Sequence, residues 1–198
     1  MIRNIVFDMG EVLYHWFPEI AFRDYPGEDG RLLYDALYGS SDWRRLDRGD
    51  IDEEDIIPLA EARVPDRLKP EIARLARWYL LTGPVEGMEA LCRDLAEGGH
   101  PLYLLSNTSR AFRQFRVRIP ALRYFTGEYI SAEHGLLKPD PAIFLDFLGE
   151  FGLTAEESLF IDDWAPNIEA ARSVGMEGIV FDGSADSLRR ELSARGLL

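Results

Sequence analysis

The sequence predicts a three-layer α/β fold, with a parallel sheet between helices and an all-helical segment inserted after the first strand. Short apolar strands alternate with helical patterns over residues 1–13 and 85–198, which is the pattern of βαβ units. Residues 14–84 carry helical patterns but no convincing strand. We therefore expect a core domain over 1–13 and 85–198, and a helical cap over 14–84 that covers the ends of the strands.

Short apolar runs are predicted to form the strands of this sheet. They lie at residues 5–7, 102–105, 128–130, 159–161 and 179–181. Apolar runs of this length indicate strands buried on both faces, as in a parallel sheet covered by helices on each side.

Helices are predicted between the strands, at residues 88–97, 109–119, 141–151 and 167–174. Glycine or proline follows each of them and marks its end, and Pro141 suits the first turn of the third. Thr154 followed by Glu157 indicates a capping box that opens a further short helical turn.

The inserted segment shows three helical patterns. Residues 31–38 place apolar side chains at helical spacing, and residues 71–81 form a second such pattern that ends at Thr82, Gly83 and Pro84. Asp52 precedes three acidic residues, which is typical of a capped helix start.

Composition excludes several classes of function. The 198 residues carry a net charge of −13, which disfavours binding to nucleic acids and to anionic membrane surfaces. Cys92 is the single cysteine and falls in a helical apolar pattern, so we expect a buried thiol and no internal disulfide. No apolar run reaches the length of about 18 residues that a membrane helix needs, and no signal-peptide pattern opens the chain. We therefore expect a cytoplasmic protein.

Asp8 is the candidate nucleophile. It directly follows the first strand, and ligands of open parallel sheets bind at that end of the strands. An ionised carboxylate held there can attack phosphorus and form an aspartyl-phosphate, which water then hydrolyses.

Polar residues also follow the strand at 102–105. Ser106, Asn107 and Thr108 come directly before a predicted helix start at Ser109. A hydroxyl and neighbouring backbone N–H groups suit the oxygens of a phosphoryl group, although the same residues also serve as ordinary helix caps.

Lys138 precedes Pro139, which favours extended backbone and directs the lysine side chain. Its ammonium group could neutralise Asp8 and a transferring phosphoryl group.

Asp162 and Asp163 follow the strand at 159–161 as a consecutive acidic pair. Two adjacent carboxylates repel each other unless a cation lies between them. A few oxygen ligands completed by water and phosphate are typical of Mg²⁺, which is the cofactor we expect.

These four motifs, in this order on strand ends, resemble the active site of the haloacid dehalogenase-like phosphohydrolases, whose core is a Rossmann-like sheet. The helical segment lies where that superfamily carries its first type of cap. Within it, the motifs around Asp8, Ser106 and Asp162 look most like a bacterial branch that acts on sugar phosphates such as α-D-glucose 1-phosphate.

The resemblance implies a role for each position. Asp8 is the nucleophile and a Mg²⁺ ligand, and Gly10 offers its backbone carbonyl to the metal. Ser106 and the backbone of Asn107 bind the phosphoryl group, and Lys138 bridges Asp8 and phosphate. The acidic pair completes the metal site, with Asp163 as the direct ligand, Asp162 in support and Asn167 behind them. The implied substrate is a small phosphorylated metabolite.

The sequence departs from this superfamily at Gly10, where its phosphatases usually carry an aspartate as general acid and base. Such a group contributes about 10²–10⁴-fold in rate. Glu11 and His15 are the nearest residues that could replace it.

Other functions stay open at this stage. A 2-haloacid dehalogenase uses the same aspartate against carbon, but its relatives lack the acidic pair, and a phosphomutase needs the missing acid and base. A protein that binds a phosphorylated metabolite with little turnover is compatible with Gly10. Specificity would come from the cap, where five side chains could reach the cleft: Tyr14, Trp16, Phe17, Trp43 and Arg44.

Overall fold

The computed structural model describes residues 1–16 and 18–198, and its centre is a five-stranded parallel sheet with strand order β3-β2-β1-β4-β5. The strands are β1 (Asn4–Phe7), β2 (Leu102–Ser106), β3 (Gly127–Ile130), β4 (Ser158–Asp162) and β5 (Glu177–Val180). All five predicted strands are therefore present, although β5 begins and ends earlier than predicted. The parallel pairing of all five strands confirms the predicted α/β class.

The register of the sheet aligns the carboxyl ends of its three central strands. Phe7 of β1 pairs with Leu104 of β2 and with Ile161 of β4. The backbone N–H of Asp8 donates to the carbonyl of Ile161 at 2.9 Å. Residues that directly follow these three strands consequently meet at one edge of the sheet.

Both faces of the sheet are buried against apolar side chains. In β1, Ile5 and Phe7 belong to one hydrophobic cluster and Val6 to another. Adjacent residues of a strand point to opposite faces, so the two clusters lie on the two sides of the sheet. This arrangement confirms the three-layer prediction.

The helices that follow β1 in the core region are α6 (Met88–Glu97), α7 (Phe112–Phe115), α8 (Ser131–His134), α9 (Pro141–Phe151), α10 (Ala165–Ser173) and α11 (Ala185–Ala194). The predicted helix at 109–119 is wrong, because α7 has a single turn and 3-10 turns follow it at Arg116–Arg118 and Pro120–Tyr124. Ile119 is not helical, since the residue before a proline disfavours helical backbone. The turn after Thr154 is a 3-10 turn, Ala155–Glu157, which Thr154 does not cap through its side chain.

The inserted segment contains α1 (Ile20–Asp24), α2 (Glu28–Ala36), α3 (Ser41–Arg48), α4 (Glu53–Glu61) and α5 (Lys69–Ala76), with 3-10 turns at Asp66–Leu68 and Trp78–Leu80. Among the described residues it contains no strand, and Asp52 with Asp55 forms the capping box of α4. Helices α2–α5 share a hydrophobic cluster separate from the two beside the sheet. We call α1–α5 the helical segment; the domain bounds at 13 and 85 stay a prediction.

Two further expectations concern the chain as a whole. Cys92 is buried in α6, as predicted. No helix in the described part of the chain is long and apolar enough to cross a membrane.

Candidate active site

Asp8 lies at the end of β1 beside a buried lysine. The Nζ atom of Lys138 is 2.8 Å from Oδ1 of Asp8, and the lysine side chain is 1% exposed. Burial raises the pKa of Asp8, the positive charge of Lys138 lowers it, and the negative charge of Asp162 raises it further, with a net shift upward. Asp8 and Lys138 are therefore brought together as the sequence predicted.

Lys138 is held from two directions. Its backbone N–H donates to Oδ1 of Asn107 at 2.9 Å, and Nδ2 of Asn107 donates to its carbonyl at 3.0 Å. Its Nζ contacts Oδ2 of Asp162 at 2.7 Å as well as Asp8. Burial by itself would lower the pKa of Lys138, but the charges of Asp162 and Asp8 outweigh it and raise that pKa. The lysine is thus kept charged and fixed in position, and the Asn107 side chain has a positioning role that the sequence did not reveal.

The two members of the acidic pair have different environments. Asp162 is fully buried, and its carboxylate accepts hydrogen bonds from the Trp164 backbone N–H at 2.8 Å and from Asn167 Nδ2 at 3.1 and 2.9 Å. Asp163 is exposed, and its carboxylate makes no hydrogen bond to another residue that the structure describes. Desolvation and the charge of Asp162 both raise the pKa of Asp163.

A divalent cation fits this cluster of carboxylates. Asp8, Asp162 and Asp163 each offer an oxygen, and these atoms lie within 4.8 Å of one another. Lys138 is the one cation paired with the cluster in the described chain, so a net negative charge remains. The Oδ1 atom of Asn167 is buried without a hydrogen-bond partner among the described residues, which leaves an acceptor for metal-bound water.

A cavity of about 390 Å³ joins the sheet edge to the helical segment. Six of the predicted site residues line it: Asp8, Gly10, Ser106, Asn107, Lys138 and Asp163. Ser106 is 1% exposed. All of the predicted site residues except the buried Asp162 therefore lie on the wall of this cavity.

Aromatic side chains contribute a large part of the cavity lining. Those that line it are Trp16, Tyr34, Tyr38, Trp43, Trp78 and Tyr79. The ring of Trp16 lies 5.2 Å from that of Trp43 and 4.9 Å from that of Trp78, measured between centroids. The inserted segment thus gives the cavity an aromatic lining, to which Asp47 and Glu53 add two carboxylates.

The predicted cleft residues of the cap divide into two groups. Trp16 and Trp43 line the cavity, whereas Tyr14 is fully buried and its hydroxyl donates to the carbonyl of Tyr79 at 2.8 Å. Arg44 does not line the cavity, and Phe17 lies outside the described residues.

The loop after Asp8 brings one of the two candidate replacements for the missing aspartate to the cavity. Glu11 lines it, with backbone φ of +52°, an unusual left-handed conformation for a residue other than glycine. His15 is exposed and lies outside the lining, and its Nδ1 is 3.2 Å from Oε2 of Glu11.

Asp47 of α3 also lines the cavity, and the sequence analysis did not identify it. Asp47 lies in a stretch of mixed charge from Asp42 to Asp50, and no motif distinguishes it from its charged neighbours. Only the packing of α3 against the core reveals it.

The sequence matches the family model of haloacid dehalogenase-like hydrolases over residues 2–175. The chain belongs to the haloacid dehalogenase-like hydrolases. This confirms the superfamily that the four motifs predicted, and the chain is accordingly a hydrolase.

Similar proteins in this hydrolase family include named phosphatases. A sesquiterpene phosphatase of Aspergillus oryzae is 29% identical over 200 residues, which cover 99% of this chain and 96% of the relative. Flavin mononucleotide hydrolase 1 of Arabidopsis thaliana is 30% identical over 159 residues, covering 78% of this chain and 62% of that protein.

Solved structures confirm the fold of this hydrolase. A haloacid dehalogenase family enzyme of Bacteroides thetaiotaomicron, solved in complex with magnesium and inorganic phosphate, superposes with a TM-score of 0.71 at 20% identity. The superposition covers 93% of this chain and 96% of that enzyme.

Proposed function

We propose that this hydrolase is a Mg²⁺-dependent phosphatase of small phosphate monoesters, acting through an aspartyl-phosphate on Asp8. The observation that carries the proposal is the convergence of Asp8, Ser106, Lys138 and Asp163 on one cavity. Phosphatase names among the relatives support the same reaction.

Asp8 supplies the attacking oxygen in this proposal. Lys138 holds Oδ1 of Asp8 at 2.8 Å, and its charge offsets that of the incoming phosphoryl group. Ser106 presents a hydroxyl that forms no hydrogen bond within the described chain, and the backbone N–H of Asn107 follows it. These donors bind the phosphoryl oxygens and place phosphorus in line with Asp8.

Asp8, Asp163 and the backbone carbonyl of Gly10 are the proposed ligands of Mg²⁺, which would neutralise phosphoryl charge when bound. Both carboxylate oxygens of Asp162 already accept hydrogen bonds, so Asp162 supports the site by fixing Lys138 and Asn167. Magnesium and phosphate in the Bacteroides enzyme support this choice of metal.

The substrate is less closely defined than the reaction. A sugar phosphate stays a prediction from the motifs around Asp8, Ser106 and Asp162. The aromatic wall built by Trp16, Trp43 and Trp78 supports an ester whose alcohol is flat or apolar, since such a group gains from contact with rings. The relatives named for a sesquiterpene and for flavin mononucleotide have alcohols of this kind, which favours the second candidate.

The experiment is a panel of phosphate esters assayed for phosphate release with and without Mg²⁺, with Asp8→Asn as the blank. Sugar, aryl, flavin and isoprenoid phosphates would separate the two substrate candidates. We expect release that EDTA abolishes. Metal-independent halide release from 2-haloacids would instead indicate a dehalogenase, and tight binding without release would indicate a binding protein. The cytoplasmic location stays a prediction that this panel does not address.

A further inference from the structure

The missing acid and base of this site is a specific chemical problem. Gly10 occupies the position that normally supplies it and has no side chain to transfer a proton. A leaving alkoxide needs a proton as its bond to phosphorus breaks, so some other group in the cavity has to supply it. Glu11 is one candidate: its Oε2 is 3.2 Å from Nδ1 of His15, and its Oε1 lies buried without a partner in the described chain.

Asp47 lies in the same cavity, on the helical segment that faces Asp8. The core fixes its position, because the hydroxyl of Ser131 donates to the carbonyl of Asp47 at 2.6 Å. The same hydroxyl accepts from the backbone N–H of Thr108 at 2.9 Å, two residues beyond Ser106. The end of α3 is thereby joined to the loop that binds the phosphoryl group.

A second contact holds the end of α3 against the core. Gly49 has a φ of +80°, and a Cβ atom built there would lie 2.1 Å from the carbonyl oxygen of Ala132. Only glycine permits so close an approach between the helical segment and α8. Asp47, two residues earlier, therefore occupies a defined place over the site.

The carboxyl group of Asp47 has no partner of its own. Within the described chain it makes no hydrogen bond or ion pair, whereas two neighbouring arginines of α3 are engaged, Arg45 with Asp42 and Arg48 with Asp50. Burial and, to a smaller extent, the charge of Asp8 raise the pKa of Asp47 to about 7. A carboxyl group in this setting can hold a proton near neutral pH and release it.

We infer that Asp47 replaces the absent aspartate, giving a proton to the leaving oxygen and later taking one from water. This inference rests on the proposed function. When Asp8 attacks phosphorus and the bond from phosphorus to the leaving oxygen breaks, the proton of Asp47 goes to that oxygen. When water attacks the aspartyl-phosphate, Asp47 takes a proton from the water and the bond from Asp8 to phosphorus breaks, which restores both carboxyl groups.

Asp47→Asn tests the inference with a series of phosphate esters of increasing leaving-group pKa. The value of kcat/KM reports the step that releases the alcohol, so it should fall about 10²–10⁴-fold for alkyl esters and little for nitrophenyl phosphate. The value of kcat should fall for every ester toward one shared rate, because hydrolysis of the aspartyl-phosphate loses its base. A merely structural role would lower kcat/KM equally along the series.

Matched variants complete the experiment. Asp50→Asn removes an aspartate from the same end of the segment and should keep the wild-type profile, since Asp50 is exposed and paired with Arg48. A uniform loss in Asp47→Asn, an unchanged profile, or a protein that unfolds more easily than the wild type would overturn the inference. The same pattern in Glu11→Gln instead would assign the proton to Glu11. If the wild type releases no more phosphate than Asp8→Asn from any ester of the series, the proposed function fails, and the inference fails with it.

Discussion

Replacing Asp162 with asparagine should destabilise the protein, although the side chain would keep its shape. The fully buried carboxylate of Asp162 meets only hydrogen-bond donors, from Trp164, Asn167 and Lys138. Asparagine would turn one of the two acceptor oxygens into an NH₂ group that faces a donor. Asp162→Asn therefore loses a charge-assisted hydrogen bond and leaves a buried donor unpaired.

The size of the effect follows from these contacts. A hydrogen bond to a charged group contributes about 1.5–3 kcal/mol, and an unpaired buried donor costs about 1–3 kcal/mol. Lys138 keeps its contact with Asp8 at 2.8 Å, so the loss should stay below the complete breaking of a buried ion pair. We expect the free energy of unfolding to fall by about 3 kcal/mol, which for a urea slope of about 2 kcal/mol per M lowers the midpoint by roughly 1.5 M.

Asp163→Asn is the matched control, since Asp163 is the adjacent residue of the same type and is exposed. Its unfolding free energy should lie within about 0.5 kcal/mol of the wild type. Urea unfolding followed by tryptophan fluorescence, without added Mg²⁺, measures both variants free of any stabilisation by a bound ion. Equal midpoints for the two variants, or an unmoved midpoint for Asp162→Asn, would refute the reasoning.

Asp8→Asn should abolish phosphate release while the urea midpoint stays near that of the wild type, and turnover by this variant above a control without enzyme would place the nucleophile elsewhere. Asp163→Asn should raise the Mg²⁺ concentration needed for half-maximal activity, because an anionic oxygen ligand is lost; an unchanged Mg²⁺ titration would remove Asp163 from the metal site. Gly10→Asp introduced into Asp47→Asn should restore alkyl-phosphate turnover, since its Cβ would make only an ordinary contact with Trp16 at 3.4 Å, and an unrestored rate would argue against a proton donor acting from position 10. Hydrogen bonds from Arg63 and Arg45 lower the pKa of Asp42, so the stability that Asp42 provides is present above the pKa of the unfolded chain and is lost as the pH falls. Asp42→Asn should therefore unfold with roughly 2 kcal/mol less free energy at pH 7, and the gap should close below about pH 4; a gap that persists in acid would contradict this.

The sequence by itself determined the sheet and the part of the site that depends on it. Apolar runs that end in Asp8, Ser106 or Asp162 predict buried strands with polar carboxyl ends. Parallel strands in register must bring those ends to the same edge of the sheet, whatever the details of packing. Local pattern and strand topology together were therefore sufficient to predict the site residues that lie at the ends of the strands.

Local pattern failed where weak helical preference competed with tertiary contacts. Residues 109–119 have helical spacing, yet α7 is limited to Phe112–Phe115 and is followed by 3-10 turns. A helix of a few turns is marginal by itself, so packing and the residue before Pro120 decide its length.

Tertiary structure supplied the physical reason why residues of the same type have different roles. Residue type does not separate Asp162 from Asp163, and in the sequence only the family resemblance did so; adjacent residues at a strand end face different surroundings, so Asp162 is buried against Lys138 and Asp163 is exposed. Asp47 differs from its acidic neighbours only because the end of α3 rests on Ser131 and Ala132 of the core. Such contacts join residues far apart in the chain, and no local pattern of charge or hydrophobicity encodes them.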